Sequence, residues 1–489
     1  MTTPFADIHS VQPAIAGRET ELEALMQSDL PIWLDGTDRD LDTLQSCFAC
    51  ALHMHQPAIP AGPEGALISH LQHMLDHPTQ GDNHNAEPFA HCYRRLADIL
   101  PALISQGCSP RIMLDYSGTL LWGLEQMGRT QVTDALRFLA TDSVMQRHVE
   151  WLGSFWGHAV APSTPIPDLL LQIQAWQHQF ASLAGDQALQ RVRGFSLPEM
   201  HLPNHPDTLF ALIKALKRCG FRWLMVQEHS VETLQGTPLP REQTLVPNRL
   251  IARNSDGETV SLTALIKTQG SDTKLIGQMQ PCYEARELDR QSLSGTSVPA
   301  LVTQIADGEN GGVMMNEFPA AYEQANRRVR GESTQAINGT EYLELLEASG
   351  CRSSQYPAIQ AAQQQRLWDE LSGPVSSQAV DAAISRLETE ESGFSMEGAS
   401  WTSNLSWVKG YGNVLEPMQQ LSAQFHQHFD PELALNPART KEADYQQALK
   451  HLLLLETSCF RYWGQGVWTD YAREIHRQGA ALLKPATDP

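Results

Sequence analysis

Across roughly residues 45 to 330, short apolar runs alternate with helix-patterned stretches, and this alternation constrains the fold more than any other feature of the sequence. CFACALHMH precedes AHCYRRLADILPALISQG, and RIMLDYSG follows. Further on come RVRGFSLPE, the helix-patterned PDTLFALIKALKRCG, FRWLMVQEH and VPALVTQIADGENGG. Strands spaced by helices form βαβ units and a parallel sheet, and polar residues at the strand ends point to a barrel. One segment differs. In LIARNSDGETVSLTALI the Asp256-Gly257 pair lies between apolar runs, which is a hairpin signal. After about residue 340 the strand signals stop, and DYQQALKHLLLLETSCFRYW and its neighbours all carry helical spacing. The expected organisation is α/β. Residues 1–45 form a helix and a loop, 46–335 a barrel, and 336–489 an α-helical C-terminal domain.

At 489 residues the chain has room for about three ordinary domains, or one large barrel with an appendage. No uncharged apolar run reaches the roughly 18 residues of a membrane helix, and the start MTTPFADIHS lacks the basic and apolar regions of a secretory signal. A formal charge of −21 argues against nucleic acid as a partner, because phosphates would be repelled. Eight cysteines are scattered, and only Cys47 and Cys50 form a CxxC. With no second pair to complete a zinc site, both read as small core thiols on a buried strand, and a cytoplasmic location is expected.

Four constellations carry possible chemistry. His53 and His55 end the first apolar run; on a strand they share a face, pointing into the barrel mouth before Pro57 stops the strand. Such a pair binds a metal or hydrogen-bonds a sugar. His158 follows Trp156-Gly157 where another run ends. Glu199 comes directly after Pro198, which cannot continue a central strand, so the carboxylate is expected at a strand's C-terminal lip. Asp307 and Glu309 close VPALVTQIADGE, with Gly308 between them; the second Asp-Gly-Glu, at 256–258, is read as a turn. Two carboxylates from separate strand ends are the minimum apparatus for glycoside hydrolysis: one attacks the anomeric carbon while the other protonates the leaving oxygen.

In order and context these motifs resemble glycoside hydrolase family 57. His55-Gln56-Pro57, Gly157-His158-Ala159 with Pro162, Phe195-Ser196-Leu197-Pro198-Glu199-Met200, Asp307-Gly308-Glu309-Asn310 and Glu456-Thr457-Ser458-Cys459-Phe460-Arg461-Tyr462-Trp463-Gly464 are similar to its five regions. The chain departs from the family at Ser196, where a bulky aromatic is usual, and at Gly311-Gly312. The resemblance implies an incomplete (β/α)7 barrel with a C-terminal α-helical domain, and a retaining mechanism on α-glucans or oligosaccharides with no metal or cofactor. It implies Glu199 as nucleophile and Asp307 as general acid and base. His53, His55, Gln56, His158, Glu309 and Trp463 would bind sugar. Trp401, Trp407 and Trp468 lie in similar glycine-containing segments. Two other classes stay open: a metal-dependent hydrolase or deacetylase built on His53 and His55, and a non-catalytic carbohydrate-binding relative.

Overall fold

The structure is a computed structural model and describes residues 14–268, 276–309, 317–399, 411–462 and 466–484. Seven parallel strands close into a barrel: β1 (Ser46–Met54), β2 (Ile112–Tyr116), β3 (Val149–Gly153), β4 (Gly194–Ser196), β5 (Trp223–Gln227), β6 (Thr259–Lys267) and β7 (Ala300–Asp307). They neighbour one another in chain order, with β7 paired to β1 over eight residues and to β6 only at Lys267 and Thr303. That single pairing is the weak seam of a (β/α)7 barrel, in accord with the expected fold.

All nine residues of β1 are buried, as a strand covered on both faces requires. Its side chains divide by parity. Cys47, Ala49 and Ala51 join Met113, Leu152, Met225, Leu265, Leu301 and Ile305 in the barrel interior. Phe48, Cys50 and Leu52 face the surrounding helices with Leu114, Leu224, Val226, Ile266 and Val302. Three small residues from β1 suit the narrow interior of seven strands. The CxxC thiols thus point to opposite faces of one strand, and burial raises both well above the ordinary thiol range. They are core residues, as expected.

The barrel is staggered. Following the register from Asp307 through His53, Asp115, Leu152, Gly194, Trp223 and Thr263, and extending the Lys267–Thr303 pairing, leads back to position 299, one residue before β7. The circuit drops eight residues, so each strand must climb about one residue to stay level with its neighbour. By this climb the chain leaving β4 reaches the level of Asp307 at about Glu199.

The hairpin is present as expected: Asn248–Arg253 pairs antiparallel with β6, and Gly257 takes the left-handed φ of +82° at its turn. Two sequence expectations differ from the structure. A short strand, Ala358–Ala361, extends the sheet beside Asn248–Arg253, although strand signals end near 340. Four residues after a proline are too few to show a period. The expected single helix over 444–463 is broken into α3 (Ala443–Leu455) and α4 (Ser458–Tyr462). At the break Thr457 bridges antiparallel to Ala159 and donates its hydroxyl to the Gly157 carbonyl. Around it, α1 (Ile166–Ala184), α2 (Gly412–Leu435), α3 and α5 (Val467–Leu482) pack together through the buried run Leu452 to Leu455, Leu421, Phe425 and Ile475. No helix among the described residues is long and apolar enough to cross a membrane.

Candidate active site

The C-terminal ends of the strands bring polar side chains to the barrel mouth. Parity places His53, Asp115, Gln227, Lys267 and Asp307 inward, directly above the apolar layers. The loops after β1 and β3, with α4, add His55, His158, Ser458 and Cys459.

Three histidines form the centre. The His158 ring lies 3.8 Å from the His55 ring, stacked within 10°, and 4.8 Å from that of His53. His53 Nδ1 is 2.9 Å from Asp115 Oδ2, and its Nε2 is 2.8 Å from His158 Nε2. His158 Nδ1 is 2.8 Å from Ser458 Oγ. Burial alone would lower the His53 imidazole, but Asp115, followed by Asp307 and Glu309, raises it to about 9. Burial and the neighbouring His55 and His53 push His158 well below its ordinary range. The assignment that follows has His53 as the cation, donating to Asp115 and to His158. Neutral His158 then donates to Ser458.

His55 is neutral as well, lowered chiefly by burial and then by His53. Its Nδ1 is 2.8 Å from Ser117 Oγ and its Nε2 is 3.4 Å from Cys459 Sγ. The alternation argument puts His53 and His55 on one side, and both do meet His158. Gln56 is buried nearby, its side-chain oxygen 3.3 Å from His70 Nδ1.

The acidic groups surround this centre. Asp307 ends β7 opposite His53, and the Gly308 amide donates to the His53 carbonyl at 2.7 Å. A Cβ on Gly308 would fall 1.9 Å from Met54 Cε, so any larger residue here requires the end of the Met54 side chain to move. The turn buries Glu309, which accepts the His55 amide at 2.8 Å through Oε1. Burial first, then Asp307, raises the Glu309 carboxyl to about 8. Glu199 follows Pro198 in a single 3₁₀ turn and holds φ +59°, a conformation that costs a non-glycine residue about 1 kcal/mol or more. Glu199, Glu309 and Asp307 all act on the Cys459 thiol, which burial and these charges keep protonated. Arg461, buried on α4, feels Glu456 and Glu199.

Of the sequence candidates, His53, His55, His158, Glu199, Asp307 and Glu309 therefore gather at one mouth. Trp463, Trp401 and Trp407 lie outside the described residues, as do Asn310, Gly311 and Gly312. Trp468 packs in α5 against His70 and Tyr471. Sequence reasoning misses four participants: Asp115, Gln227, Lys267 and Cys459. The first three each end or nearly end an apolar run, the same signal that singles out Asp307.

No protein-family model matches the sequence, and no curated protein matches it either. Solved structures do match. The 4-alpha-glucanotransferase from Thermococcus litoralis superposes with a TM-score of 0.56 at 16% identity, covering 90% of this chain and 60% of that one. This chain thus spans less than two thirds of that enzyme's length. The GH57-type branching enzyme from Pyrococcus horikoshii gives 0.50 at 12% identity over 89% of this chain and 87% of that one. The alpha-amylase AmyC from Thermotoga maritima gives 0.50 at 11% over 90% and 93%. The resemblance read from the motifs therefore holds at the level of architecture: the chain has the fold of the family 57 glycoside hydrolases, a seven-stranded β/α barrel with helices laid over its mouth.

Proposed function

We propose that the chain is a retaining glycoside hydrolase or transglycosylase acting on α-glucosidic bonds of glucans or oligosaccharides. One observation carries this reading: Glu199 follows β4 and Asp307 ends β7, strands on opposite sides of the barrel, and both lie at the mouth that holds the buried histidine cluster. Glu199 is the nucleophile. Its carboxylate attacks the anomeric carbon while Asp307 delivers a proton to the glycosidic oxygen, which otherwise leaves poorly. Asp307 then takes a proton from the acceptor, water or a sugar hydroxyl, as that acceptor displaces Glu199. Arg461 stands within electrostatic reach of Glu199. The two carboxyl groups are expected to stand about 5–5.5 Å apart, the spacing of retaining enzymes.

His53, His55, Gln56, His158 and Glu309 form the wall of the sugar subsite, with Trp463 assigned there on its motif. A protonated Glu309, whose Oε2 has no hydrogen-bond partner among the described residues, supplies a donor to a hydroxyl oxygen, and the fixed hydrogen bonds of the histidines leave little to reorganise during reaction.

Incubation with maltoheptaose, with products resolved by chain length, tests the reading. Shorter products alone mean hydrolysis, longer ones mean transfer, and branched ones mean branching. No product from wild-type protein, or activity that disappears with a strong chelator, would overturn it.

A further inference from the structure

We infer that Gln227, on the floor of the barrel mouth, reads two neighbouring hydroxyl groups of the sugar ring whose bond is cleaved. The inference rests on the glucan-active reading above and adds to it a residue that reads the substrate. Gln227 is the last residue of β5 and continues the inward parity of Trp223 and Met225. It is fully buried, yet among the described residues neither its Nε2 nor its Oε1 has a hydrogen-bond partner. Buried side-chain amides are nearly always satisfied, so an amide with both ends open destabilises the free protein. At the same mouth Asp115 and Glu309 each leave one buried oxygen open but engage the other, on His53 and on the His55 amide, whereas Gln227 leaves both ends open.

Position supplies the second argument. The stagger of the barrel sets the end of β5 one to two residues below the level of Asp307, roughly 5 Å at the rise of a strand. A ring held between Glu199 and Asp307 would therefore rest its face or edge on Gln227. A carboxamide offers a donor and an acceptor side by side. That matches two vicinal hydroxyls, one accepting from Nε2 and one donating to Oε1. Lys267, its register partner on β6, also faces inward and gives the floor a second polar group.

Gln227→Met keeps length and removes both polar atoms. Relief of the open amide should leave the thermal midpoint of the free protein unchanged or raised, while kcat/KM on maltoheptaose falls roughly 100-fold. Wild type should also discriminate strongly against maltoheptaose analogues lacking one ring hydroxyl at the reacting glucose, and Gln227→Met should not. If Gln227→Met does not fold, Gln227→Glu keeps an acceptor and loses the donor, and discrimination should then fail for one hydroxyl only. A kcat/KM within about threefold of wild type, or unchanged discrimination, would overturn the inference while leaving the parent reading in place. Wild-type protein inert on every glucan would remove both.

Discussion

Replacing Asp115 with Asn removes the charge that holds His53 in its cationic form, and the size of the loss follows from the titration of that one ring. His53 rises from the ordinary 6.5 to about 9 in the folded chain, against a burial effect that opposes it. The difference is about 2.5 units, or about 3 kcal/mol, since one unit is 1.36 kcal/mol. A base whose folded value lies above its unfolded value stabilises fully below the unfolded value. That stability disappears as pH rises through the folded one. The contribution is therefore complete at pH 6 and gone by about 9.5. Asp307, Glu309, His55 and His158 also face the ring, but they are common to wild type and Asp115→Asn and cancel in the comparison. Urea unfolding followed by tryptophan fluorescence at pH 5.5, 7.5 and 9.5 measures the gap between the two proteins. The gap should narrow by up to about 3 kcal/mol between the first and last pH. A gap that stays constant across this range would refute the ion pair as the reason for the His53 shift.

Glu199→Gln should cut turnover of maltoheptaose by several orders of magnitude with little change in unfolding. Asp307→Asn should be comparably severe on glucans but milder on an activated aryl glycoside, whose phenolate leaves with less need of a proton. Glu309 is buried and titrates near 8 instead of 4.5, so keeping it ionised costs stability progressively from about pH 4.5 up to 8. Glu309→Gln carries no such charge and should exceed wild type by up to about 5 kcal/mol above pH 8, with the advantage vanishing below pH 4 in thermal scans. A Cβ on Gly157 would stand 2.0 Å from the Leu453 carbonyl oxygen, which is backbone and cannot yield easily. Gly157→Ala should destabilise by about 3 kcal/mol or more in urea unfolding and lift α4 away from His158. Unaltered stability would mean that the contact relaxes freely.

Much of the fold and the mouth is legible in the sequence alone, because strand parity and strand ends are local properties. The run CFACALHMH fixes which of its residues face in, so spacing by itself puts His53 at the mouth. Pro198 likewise marks where β4 must stop and so locates Glu199. Asp115 ends its run in the same way as Asp307, but its role depends on lying opposite His53, and pairing across strands leaves no trace in spacing. The same holds for Gln227: a polar residue at a strand end is unremarkable until every potential partner among the described residues is seen to be elsewhere. The break at Glu456–Thr457 is hidden because both sides keep helical spacing. What stops the helix is a contact with Gly157 and Ala159, three hundred positions earlier.

That separation has a consequence for how the protein comes into being. His158 and Ser458 share a hydrogen bond across 300 residues of chain, so the barrel leaves the ribosome long before its histidine cluster can close. A nascent chain ending before Gly412 carries Glu199 and Asp307 but lacks Ser458, Cys459 and Arg461. In such a chain the partners that Ser458 and Cys459 provide to His158 and His55 are missing. The histidine cluster is therefore complete only once the final helices dock. A gene cut at that point would encode two fragments whose reunion could be scored by the return of a single fold.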